Sequence, residues 1–188
     1  LTSLHQDDAI RKKGSIGRPN FYVQTKIVDE NGIEVVKNQK GELLLKGPMV
    51  TPGYWQNKKA TDESLKDGWF YTGDVVIRDE EDYLFVVDRI KNMYISGAEN
   101  VYPAEIERVL QNHPGVLEVA VISVPHEKWG EVGKAFIVTS EKSFTEKEIL
   151  GYCQLKLAKF KIPKYIEFLK EIPKNDTGKV DRKLLKNK

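Results

Sequence analysis

The chain has little of what would cross-link it or bind a metal. Only one of its 188 residues is cysteine, Cys153, so no internal disulfide can form and a reducing, cytoplasmic setting is the expectation. Histidine is scarce as well. His5, His113 and His126 lie far apart with none of the short spacings of zinc ligands, so no metal site is expected. No apolar run approaches the roughly 20 residues that span a bilayer, and no signal peptide opens the sequence, so no membrane span is expected. Internal repeats and low-complexity tracts are lacking. So is the Gly-four-residues-Gly-Lys-Ser/Thr spacing of a phosphate-binding loop. Residue 1 is Leu rather than Met, which raises the expectation of an excised piece of a longer protein.

What is present is globular. Forty per cent hydrophobic residues beside 31% charged ones are enough to build a buried core. The net charge of +2 hides an asymmetry: residues 1–88 hold 12 basic against 15 acidic side chains, whereas residues 156–188 hold 11 against 4. Such a basic tail can be a solvated helix face, a nucleic-acid patch or a surface turned toward phosphates. The basic residues lack interleaved stacking aromatics, and no helix-turn-helix or RNA-binding signature occurs, so nucleic acid is not the expected partner.

Periodicity divides the chain. Up to residue 88, short strands alternate with Gly/Pro/Asn turns, at residues 23–28, 42–46 and 83–87. Beyond it, Pro103 opens a helix with Glu105 and Glu107 in the first turn and Ile106, Val109 and Leu110 on one face. Residues 116–124 and 135–138 read as buried strands. Thr145 with Glu148 forms a capping box ahead of an Ile149, Leu150, Cys153, Leu157 stripe, and residues 165–169 form a last strand before a short basic end. The fold class expected is α+β: a β-rich region over 1–88, a hinge at 89–91 and a small compact α+β domain over 92–188.

Taken alone, the informative motifs have plain readings. Tyr71-Thr72-Gly73-Asp74 reads as a turn with a capping Asp, Arg89 as a surface ion pair and the stretch from Pro125 to Gly130 as a strand-to-strand turn with a half-buried Trp129. Asn175-Asp176-Thr177-Gly178-Lys179 reads as a type I or II turn carrying an exposed lysine.

Taken together and in this order, those blocks and the segment from Asp88 to Glu107 resemble the C-terminal part of acyl-CoA synthetases in the superfamily of adenylate-forming enzymes. The resemblance runs from about Gly17 to Lys186. It implies that Asp74 accepts hydrogen bonds from both ribose hydroxyls of adenosine and that Arg89 reaches the ribose and phosphate side. It implies a hinge at Lys91, and a coenzyme A face made by Ser96, Gly97 and Ala98 with Trp129, Phe160 and Lys164. Ile162 stands where some relatives carry arginine. Ala98 stands where many carry glycine, and its methyl restricts φ, so a shifted or narrowed thiol passage is expected. Lys179 would meet the substrate carboxylate and the α-phosphate, offsetting the negative charge that builds there.

The implied co-substrates are a small-molecule carboxylate (fatty or aryl), ATP and coenzyme A. Mg2+ would be held mainly by an upstream domain that also supplies the phosphate loop and acyl pocket, and the chain alone is expected to be inactive. The segment from Glu99 to Pro103 favours coenzyme A ligases over peptide-synthetase adenylation domains. A basic binding module without catalysis is the rival.

Overall fold

The computed structural model describes residues 1–140 and 144–187. The chain forms two compact units, Leu1–Lys91 and Asn92–Lys188, and the fold class is α+β.

The first unit is an antiparallel sheet with one short helix. Its elements are β1 (Thr2–Ser3), β2 (Ser15–Pro19), β3 (Gln24–Val28), β4 (Lys40–Lys46), α1 (Lys58–Ser64), β5 (Leu65–Lys66), β6 (Trp69–Arg78) and β7 (Leu84–Arg89). The strand order is β1-β2-β7-β6-β4-β3, with β5 added beside β6. Alternating side chains of these strands bury Ile27, Leu43, Leu45, Val76 and Leu84 together with Val23 in one cluster. The ten-residue β6 is the unit's longest strand, and the stretch read from sequence as a turn lies inside it. Gly73 takes φ +70°, and the β4–β6 register slips between Glu42 and Leu44. The result is a bulge at the centre of the sheet.

The second unit contains β8 (Tyr94–Ser96), β9 (Glu99–Val101), α2 (Pro103–Gln111), β10 (Val116–His126), β11 (Gly130–Thr139), α3 (Glu146–Lys156), β12 (Tyr165–Phe168) and α4 (Arg182–Lys186). Its sheet runs β10-β11-β8-β9, and β12 lies parallel to β11. Helices α2 and α3 start where their first residues dictate. Pro103 occupies the first turn of α2, and the Thr145–Glu148 capping box closes the start of α3. Residues Val121, Ala135 and Ile137 point to one sheet face, where Ile106 and Leu110 of α2 and Ile149 and Cys153 of α3 cover them. Ala120, Ile122 and Phe136 point to the other, where Ile172 and Leu185 of the C-terminal segment close the core. The basic end is therefore a built part of the unit. Asp181 caps α4 by accepting from the Lys183 and Leu184 amides, and Leu185 is fully buried. Burial also pushes the Cys153 thiol up to about 11, in keeping with a core residue.

Candidate functional site

In the first unit the bulge aims Asp74. The Thr72 hydroxyl donates to the Leu43 carbonyl (2.7 Å) and accepts from the Asp74 amide (3.0 Å), while the Gly73 amide donates to Glu42 Oε1 (2.9 Å). On the other side of β6, Asp74 stands opposite Arg89 in the β6–β7 register, and Arg89 Nε lies 2.6 Å from Asp74 Oδ1. The pair is half-open: Arg89 keeps 53% of its side-chain exposure and Asp74 28%. A carboxylate held by one oxygen can still accept with the other, and a guanidinium engaged through Nε still carries four Nη protons. Sequence reasoning named both residues but missed Thr72 and Glu42, which set the bulge. A glycine inside an otherwise β-branched and aromatic strand was the available signal. Lys91, the expected hinge, is the last residue of this unit and is exposed within the 3-10 turn Ile90–Asn92.

In the second unit the sequence-predicted residues Ser96, Gly97, Ala98 and Trp129 come together. Strands β8 and β9 are joined by the two-residue turn Gly97-Ala98, with Ser96 opposite Glu99. Both turn residues are left-handed, at φ +60° and +72°, the signature of a type I′ hairpin turn. Ala98 thus takes the backbone conformation that glycine would take there. Ser96 is paired with Gly130 of β11, the Gly97 amide donates to the Trp129 carbonyl (3.1 Å), and the Trp129 ring lies on Gly97. A Cβ at position 97 would come within 2.7 Å of that ring. Trp129 itself remains 40% exposed at the tip of the β10–β11 hairpin, so its plain reading as a half-buried turn residue also describes its setting.

Phe160 (38% exposed) lies in the 3-10 turn Lys159–Lys161, which is braced by Lys161 on Glu105 of α2 (3.2 Å). Ile162 is spent on the core, packed against the cluster under α2 and α3. Lys164 is exposed just before β12, its amide donating to the Gly133 carbonyl (2.8 Å).

Lys179 is not with these residues. It belongs to the segment that covers the opposite sheet face, on a turn closed by the Lys174–Val180 bridge. Asn175 Oδ1 accepts from the Thr177 and Lys179 amides (3.1 and 3.0 Å) and from the Thr177 hydroxyl (2.7 Å). The turn is closed on itself by hydrogen bonds, and the exposed Lys179 ammonium makes no ion pair among the described residues. No group of three or more His, Cys, Asp or Glu side chains converges among the described residues to hold a metal ion. No helix among them is long and apolar enough to cross a membrane.

Residues 105–179 match the AMP-binding enzyme C-terminal domain, and residues 1–55 match the AMP-binding enzyme domain. The whole chain is 47% identical over 188 residues to a 2-succinylbenzoate–CoA ligase of Listeria monocytogenes, of which it covers 38%. The chain belongs to the AMP-binding, adenylate-forming enzyme family. Within this family it is also 44% identical over 187 residues to a long-chain-fatty-acid–CoA ligase of Escherichia coli, covering 33% of that protein. The solved o-succinylbenzoate CoA synthetase of Bacillus subtilis, in complex with its acyl-adenylate intermediate, superposes with a TM-score of 0.91 at 38% identity, over 99% of this chain and 38% of that one. The chain spans a little over a third of the length of the relatives it matches, and it corresponds to the C-terminal part of a family member.

Proposed function

We propose that the chain is the C-terminal part of an AMP-forming acyl-CoA synthetase. In the intact enzyme a carboxylate attacks the α-phosphorus of ATP, expelling pyrophosphate, and the thiol of coenzyme A then attacks the acyl carbonyl and expels AMP. The observation that carries the reading is the exposed Lys179, without an ion pair among the described residues, on a hydrogen-bonded turn. An ammonium carried on a hydrogen-bonded turn and left open to solvent is suited to an anion supplied from outside the unit. Two anions, carboxylate and α-phosphate, must meet in the first step, and a positive charge placed between them lowers that barrier without moving a proton.

Asp74 accepts from the ribose hydroxyls through the oxygen that Arg89 leaves available, and Arg89 turns its free Nη groups toward the phosphate side. The Ser96–Ala98 turn and Trp129, with Phe160 and Lys164, serve the second step. The left-handed turn keeps the backbone low for the pantetheine arm, and the half-exposed rings and Lys164 meet the nucleotide end of coenzyme A. Since Lys179 and the Gly97-Ala98 turn occupy different parts of one unit, the unit must turn about Lys91 between the steps. ATP's Mg2+, the phosphate loop and the acyl pocket belong to upstream residues, so this piece is inactive alone.

Against a nucleic-acid module, three of the tail's 11 basic residues are turned to carboxylates of the same unit, Lys161 on Glu105, Lys174 on Glu118 and Arg182 on Glu107. The test is carboxylate-dependent ATP–pyrophosphate exchange with the enzyme carrying its upstream part, across aryl acids (2-succinylbenzoate and benzoates) and medium- and long-chain fatty acids. Exchange with one class is expected and names the substrate; exchange with none overturns the reading.

A further inference from the structure

The Lys179 turn is closed on itself by hydrogen bonds, yet both its direction relative to the sheet and how often those bonds open depend on what flanks it. Five residues before Lys179, Lys174 Nζ reaches Glu118 Oε1 at 2.8 Å, between side chains that are 47% and 43% exposed. Three residues after it, Arg182 Nη2 reaches Glu107 Oε1 at 2.6 Å, between side chains only 28% and 20% exposed. The same Glu107 oxygen accepts the Val121 amide at 2.8 Å. Strand β10 is an edge of the sheet, so Glu107 both seals an edge N–H and ties the C-terminal segment to α2. One anchor is a water-exposed lysine, the weaker kind of ion pair. The other is a directional, shielded, charge-assisted hydrogen bond. Arg182 carries a cost: its Nε–H is buried without a hydrogen-bond partner among the described residues.

We propose that Arg182, held by Glu107, is a positioning residue that aims the Lys179 turn for adenylate formation. This rests on the role proposed for Lys179. Only three residues, roughly 10 Å of chain, separate the anchor from the ammonium, so a small swing at Arg182 becomes a displacement of about an ångström or more at Nζ. Misplacement on that scale costs up to about 10²-fold.

The experiment uses the enzyme with its upstream part. Arg182→Ala and Glu107→Gln are expected to slow adenylate formation by roughly 10- to 100-fold, while thioester formation from preformed acyl-adenylate stays within a factor of about two. Arg182→Ala placed on Lys179→Ala should add almost nothing, because the anchor acts through the lysine. The exchanged pair Glu107→Arg with Arg182→Glu should recover part of the loss. Hydrogen exchange provides a readout independent of chemistry: in Arg182→Ala the amides of Gly178 and Lys179 should lose protection while those of β11 keep theirs. An equal fall in both half-reactions together with lost β11 protection would make Arg182 merely structural. Unchanged protection at Gly178 and Lys179 would overturn the proposal whatever Lys179 does. A silent Lys179→Ala with loosened amides would instead sink the role of Lys179 and leave only the anchoring.

Discussion

Ala98→Gly should stabilise the second unit, although glycine is usually the destabilising choice. Ala98 sits at φ +72° in the second position of a type I′ turn, where an L side chain with a Cβ costs roughly 1–2 kcal/mol relative to right-handed backbone. Its methyl is exposed, so little packing is lost on removing it. Against this stands the extra freedom of glycine in the unfolded chain, about 0.4–1 kcal/mol. The balance favours glycine by about 0.5–1 kcal/mol, and for a unit of this size that raises the midpoint of thermal unfolding by roughly 2–8 °C. Scanning calorimetry of the chain, following the transition of Asn92–Lys188, measures it. The companion variant Gly97→Ala should move the other way. Its Cβ meets the Trp129 ring at 2.7 Å in addition to the strain of φ +60°. If Ala98→Gly lowers the midpoint, the turn is not left-handed and the account of this face is wrong.

Two further outcomes are expected. The Thr145 amide and hydroxyl both donate to the Glu148 carboxylate and hold it below its usual value of about 4.5. This stabilisation is present above the unfolded-state pKa and is lost as pH falls through the lowered folded value. Glu148→Ala should therefore lower the melting temperature at pH 7 by an amount that shrinks toward zero in acid, and a pH-independent difference would refute the capping role. At the end of the first unit, Lys91→Pro locks φ and removes an N–H, so in the intact enzyme one half-reaction should survive and the other should fail. Equal loss of both would indicate general destabilisation, and no loss would place the pivot elsewhere.

Local chemistry was legible in the sequence where a few neighbouring residues decide the outcome. The Thr145–Glu148 box, Pro103 at the head of α2 and the Ile149–Cys153 stripe are contained within one or two helical turns, and each is found as read. What was not legible depends on register or on distant partners. Strand β6 was obscured because Gly73 looks like a turn residue until the Leu43 and Glu42 contacts reveal a bulge inside a strand. The Asp74–Arg89 pair follows from the β6–β7 register, and the Arg182–Glu107 anchor spans 75 positions, so neither is visible in spacing. The C-terminal segment looked like a basic tail because charge dominates its composition. Its buried residues, Ile172 and Leu185, are few and widely spaced, and they meet a sheet face that the sequence does not label.

The central claim, that this chain supplies the lysine of an adenylate-forming enzyme, is tested most directly by the half-reactions of Lys179→Ala in the intact enzyme. Losing one charge contact to the α-phosphate costs about 3 kcal/mol of barrier, or roughly 10²-fold. The expected result is a fall of that size in carboxylate-dependent ATP–pyrophosphate exchange, with thioester formation from preformed acyl-adenylate and coenzyme A left near the level of the unsubstituted enzyme. Undiminished exchange, or an equal loss in both half-reactions, would contradict it.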